Sequence, residues 1–147
     1  METEVTRLQL KQLTPTQLGA AVFLSSGQKT ILIYVDTNMG EALNHAVMGT
    51  PNDRPSSHDL MLTLLDGLGA EVERVVINDV VDQTFYARLI LSMENEVAHK
   101  VVEIDARPSD ALALAFASSK PVFIANELLD RLDDSGPLLD SILDQDR

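Results

Sequence analysis

The sequence predicts an α+β fold, one domain in which a mixed or mainly antiparallel sheet is packed by helices. Two observations carry this. Apolar runs come in neighbouring pairs joined by short polar turns, at residues 20–24 with 30–35 and at residues 72–80 with 85–92. Helical patterns interrupt these pairs without the regular alternation of a parallel βαβ protein. The helices expected to cover the sheet lie around Leu64 and Leu114.

Residues 5–13 read as a first strand, with Leu8 and Leu10 on one side, before the turn at Thr14-Pro15-Thr16. A hairpin follows around Ser25-Ser26-Gly27-Gln28. Residues 40–48 look helical and stop at Gly49, and residues 50–56 form a polar loop containing Pro51 and Pro55. Leu60, Leu64 and Leu68 recur at i+4, with Met61 and Leu65 beside them, so residues 57–68 read as a helix. Gly69 is placed to end it in a left-handed conformation.

The second hairpin turns at Val81-Asp82-Gln83, and a strand over residues 98–104 leads into Asp105-Ala106-Arg107-Pro108-Ser109-Asp110. Pro108 suits the first turn of the helix over residues 108–118. A short strand at residues 121–124 precedes a helix that Asn126 can cap. The domain is expected over residues 1–132, followed by an acidic tail, residues 133–147. In that tail, residues 133–136 read as a linker, and Leu138, Leu139, Ile142 and Leu143 form an apolar stripe on a short helix. The stripe can dock on the domain or on another subunit.

A chain of 147 residues suits one domain with a real core. No apolar run approaches the roughly 20 residues that span a bilayer. The start, Met1-Glu2-Thr3-Glu4, has no basic, apolar leader, and there is no cysteine, so the expected compartment is the cytoplasm, with no thiolate chemistry. Net charge is −12, from 11 basic and 23 acidic side chains, the wrong sign for tight, non-specific binding to phosphates. Aromatics are only 4%, so stacking platforms for single-stranded nucleic acid are scarce. Gly-rich phosphate loops and G-x-S-x-G elbows are absent.

Candidate chemistry gathers at two junctions. Ser56-x-x-Asp59 has the form of a capping box, which accounts for Asp59 structurally but does not require His58. Histidine can move protons near neutrality or bind a metal. Adjacent helical positions point about 100° apart, so His58 needs a partner other than Asp59, such as Asp105 or Asp110. At the second junction Asp110 falls in the first turn of a helix, where a carboxylate is favoured, and Arg107 can pair with a neighbouring acid. A metal site would draw on His58 and carboxylates such as Asp59, Asp105 and Asp110, with Asp105 and Asp110 as the metal ligands, an oxygen-rich set suited to Mg²⁺ or Mn²⁺. His45 reads as a residue on a polar helix face, and His99 as solvated in a turn.

The run Asp105-Ala106-Arg107-Pro108-Ser109-Asp110-Ala111, preceded by Arg54-Pro55-Ser56-Ser57-His58-Asp59-Leu60, resembles the bifunctional nuclease family of bacteria and plants. Glu73-Arg74-Val75-Val76-Ile77-Asn78-Asp79 and Thr84-Phe85-Tyr86-Ala87-Arg88-Leu89 are similar to that family's central hairpin. Ser57 stands where a threonine usually precedes the His-Asp pair, and residues 36–42 differ from the shorter link of many members. The resemblance implies cleavage of DNA or RNA. Its distinctive polar positions fall on Arg54, His58, Asp59, Asp105, Arg107 and Asp110.

The sequence therefore points to a nuclease-like phosphodiester hydrolase. Its catalytic set would be His58, Asp59, Asp105 and Asp110, with Arg54 and Arg107 binding phosphate through the planar fork of arginine. The alternative is a non-catalytic binding or regulatory module in which the same charges form a structural network. Apolar surface beyond the needs of an acidic monomer predicts a homo-oligomer, most simply a dimer. If the two junctions form one site, the starts of the two helices must meet.

Overall fold

A computed structural model describes residues 4–145 and bears out the α+β fold as one domain with a seven-stranded mixed sheet. The strands are β1 (Val5–Pro15), β2 (Gly19–Ser25), β3 (Thr30–Asp36), β4 (Ala70–Val81), β5 (Thr84–Glu94), β6 (His99–Ala106) and β7 (Val122–Ala125). The helices are α1 (Thr37–Met48), α2 (Ser57–Gly67), α3 (Pro108–Ser118), α4 (Asn126–Arg131) and α5 (Gly136–Gln145). Met1 to Thr3, which the expected acidic start includes, and Asp146 of the tail lie outside the described residues.

The sheet runs β3-β2-β1-β7-β4-β5-β6. Short β7 joins two antiparallel meanders, pairing antiparallel with β1 and parallel with β4. The second hairpin turns at Asp82 and Gln83, both with positive φ, a two-residue turn whose twist matches its flanking strands.

One core fills the space between sheet and helices. Val22, Leu24, Ile31 and Ile33 supply one half, and Val72, Val75, Ile77, Leu89 and Leu91 the other. Between them lies α3, whose Ala111, Leu112, Ala113, Leu114 and Ala115 are all buried. A helix apolar on every side is stable only inside a core, and its small residues let α1 approach closely. Helix α1 starts earlier than residue 40, because the Asp36 side chain accepts from the Met39 amide and caps it. Gly40 is then an interior residue, and a Cβ there would lie 2.9 Å from the Ala20 Cβ.

Two expectations change on packing. The Leu60–Leu64–Leu68 stripe of α2 does not face the core; Leu64 is 56% exposed, and the helix packs through Leu62 and Leu65 instead. The segment read as a linker is tied down: the Thr30 amide donates to Asp134, and the Ser135 amide donates to the Thr30 carbonyl at 2.7 Å. Helix α5 accordingly docks Leu139 on the outer face of β2, against Ala21 and Phe23. Lys29 strengthens this corner by donating to the Leu129 and Leu132 carbonyls at the end of α4.

Candidate functional site

Two helix N-termini meet beside the core. The first, at α2, is a complete capping box: the Asp59 amide donates to Ser56 Oγ, and the Ser56 amide donates to Asp59 Oδ2 at 2.8 Å. Asn52 donates to the same Oδ2, and these hydrogen bonds, led by the Ser56 amide, hold the Asp59 carboxyl below its ordinary pKa. Asp59 is thus engaged in building the helix start. Its neighbour His58, one position earlier, points elsewhere.

His58 Nε2 lies 3.0 Å from Asp110 Oδ1, and Arg107 Nε donates to Asp110 Oδ2 at 2.7 Å. Burial alone would raise the Asp110 pKa, but the hydrogen bonds from Arg107 and His58 outweigh it and hold the carboxyl below its ordinary value. An ionised carboxylate only accepts, so the proton of the shared bond sits on His58 Nε2. When the ring is neutral, this leaves Nδ1 as the nitrogen with a free lone pair. His58 is largely buried, its side chain 14% exposed, and both oxygens of its partner are used. The ring is therefore held in one orientation and one tautomer.

His58 forms part of the wall of a cavity of about 420 Å³. Helix α1 contributes Glu41 and His45, the loop before α2 contributes Asn52, and Ala113 and Ala117 of α3 line it with small apolar surface. Arg107 faces a different hollow of about 630 Å³, walled by β3, Met39 and the β4–β5 hairpin, including Tyr34 and Phe85. Asp110 bridges the two, bonded to His58 of the first and Arg107 of the second.

The remaining sequence candidates do not join this group. Asp105 is exposed on edge strand β6, between Ile104 and Ala106. Side chains alternate across a strand, and Val102 and Ala106 pack on the core, so Asp105 projects from the opposite face, across from Arg88. It therefore does not converge with Asp110. Among the described residues no group of three or more His, Asp or Glu side chains is arranged to hold a metal ion. Arg54 is exposed in the loop before α2, and among the described residues no ion pair ties it to Asp110.

The sequence reading missed the α1 wall. Glu41 and His45 stand at i and i+4, the spacing that puts two side chains on one helix face. That spacing was available; that the face borders a cavity was not. Helix α1 buries Gly40 and Leu43 in the core, which turns Glu41 and His45 toward its rim.

The α+β domain thus presents a carboxylate-held histidine at the wall of a cavity. The chain is a member of the bifunctional nuclease domain family, whose model matches residues 22–135. It is also 29% identical, over 105 residues, to an uncharacterised protein of Mycobacterium tuberculosis strain CDC 1551 / Oshkosh and equally to one of strain H37Rv. Each alignment covers 71% of this chain but only 60% of the relative. No described helix is long and apolar enough to cross a membrane.

Proposed function

We propose that the protein is a nuclease-like phosphodiester hydrolase acting on DNA or RNA, with His58 as its proton-transfer residue. The single observation that carries this is the His58–Asp110 hydrogen bond at the wall of the 420 Å³ cavity. A histidine locked by a carboxylate through Nε2 presents Nδ1 as a base of fixed direction. His58 takes the proton of the attacking water as the new P–O bond forms. As the old P–O bond breaks the departing oxygen takes a proton from solvent water, and the imidazolium returns its own proton to solvent. Asp110 is a positioning residue in this scheme, and Arg107 holds Asp110 in turn. Membership of the family supports the substrate class.

A second reading, a non-catalytic binding or regulatory module, is favoured by one observation: Arg107, Asp110 and His58 form a chain in which both carboxylate oxygens are already paired. The deciding experiment is a nuclease assay on single-stranded DNA and RNA, with and without Mg²⁺ or Mn²⁺. We compare wild type with His58→Ala, each checked for folding by circular dichroism. Loss of a general base is expected to lower the rate by about a hundredfold or more. Equal cleavage by both proteins would mark a contaminant and end the catalytic reading.

The domain is also proposed to self-associate. With α5 docked on its own sheet, the exposed apolar surface suited to this is the α2 stripe of Leu60, Leu64 and Leu68.

A further inference from the structure

His45 Nδ1 is buried without a hydrogen-bond partner. A polar atom in that condition is destabilising, and an apolar residue on the same helix face would avoid the cost. A histidine in the last turn of a helix normally contributes by aiming charge at solvent or at the final carbonyls; a sealed ring nitrogen does neither. An unpaired buried acceptor is tolerated more readily than an unpaired buried donor. The proton of neutral His45 therefore belongs on Nε2, the ring nitrogen left to act in the cavity that His45 lines. Across that cavity His58 is fixed in the complementary state, its own Nε2 proton committed to Asp110 and its Nδ1 free.

We propose that His45 is a second functional residue of this cavity, donating its Nε2–H to a phosphoryl oxygen of a bound phosphodiester while His58 accepts a proton through Nδ1. The inference rests on the phosphodiester reading above and adds to it the residue that meets the substrate's charge. It answers a difficulty of the site, since Arg107 faces the other hollow and the charged groups of α1 and α2 nearest the cavity, Glu41 and Asp59, are acids. Asp59 is ionised, and one of its oxygens, Oδ2, is occupied by the Ser56 amide and Asn52. Glu41 stands one turn before His45 on the same face of α1, so a bound phosphate has to lie on the His45 side of the cavity. A fixed hydrogen-bond donor aimed at developing charge works best where water is excluded.

The test uses the full chain and two readouts. Nitrogen-15 spectra of the histidine rings report which nitrogen carries the proton, before and after addition of a phosphorothioate-linked dinucleotide. Nε2 protonation of His45, with both His45 and His58 shifting on addition, is expected. In the cleavage assay His45→Leu should lower kcat roughly a hundredfold with KM little changed, and His45→Gln, which keeps a donor near Nε2, should return to within about fivefold of wild type. A His45 proton on Nδ1, a His45 ring unmoved at saturating dinucleotide, or a His45→Leu protein as active as a wild type that cleaves would each overturn the assignment. If both rings shift but the wild type cleaves nothing, the donor role stands and the hydrolase reading falls.

Discussion

His58 and Asp110, 52 positions apart, share a 3.0 Å hydrogen bond between the first turns of two different helices. The bond fixes the imidazole, and it also clamps α2 to α3. Helix α2 buries none of its residues completely, so its position depends heavily on such end contacts. Structure and chemistry therefore rest on the same carboxylate.

Asp110→Asn should release the histidine. An amide can satisfy one neighbour but does not hold the ionic contact with Arg107 or fix the Nε2–H tautomer. The His58 ring resonances should move and broaden, and cleavage should fall by about tenfold or more. Asp105→Asn, on the far face of the sheet, should leave the His58 ring resonances where they are. Equal disturbance by the two variants would contradict the placement of Asp105.

Stability should fall in acid. Asp59, Asp110 and Asp134 are all held below the ordinary carboxyl value of 3.8. A carboxyl with a lower pKa when folded contributes stability that is full above its unfolded value and is lost as pH falls through the folded value. Thermal unfolding midpoints should therefore be level from neutrality down to about pH 4 and decline below it. Asp110→Asn should make that acid decline shallower, and an unchanged decline would remove Asp110 from the account.

Ser56→Ala should cost about 1 kcal/mol of unfolding free energy, the usual loss for an N-cap hydroxyl. Ser56→Asp, which can still accept from the Asp59 amide, should recover part of it. Urea unfolding measures both. A neutral Ser56→Ala would mean that the α2 start is held by the His58–Asp110 clamp alone.

Light scattering should give a particle of twice the 16.1 kDa chain mass. Leu64→Glu, placed in the exposed stripe of α2, should shift it to one chain mass without loss of helix signal. A wild-type monomer at micromolar concentration would end the proposal of self-association.

The sequence by itself determined the features set by neighbours along the chain. The order of strands and helices, the Ser56–Asp59 capping box, the left-handed Gly69 and the pairing of Arg107 with a neighbouring acid all follow from local patterns along the chain. It also named the two helix starts that must meet if their charged residues form one site. Only the tertiary structure decided which face each element turns inward. Helix α2 carries leucines on more than one side, so its i+4 stripe was as good a core face as Leu62 and Leu65 until packing chose. Asp105 and Asp110 lie five residues apart, but strand alternation sends one outward while the helix turns the other toward His58. His45 looked like any surface residue because a cavity is a property of three helices together, and no local pattern encodes the space between them.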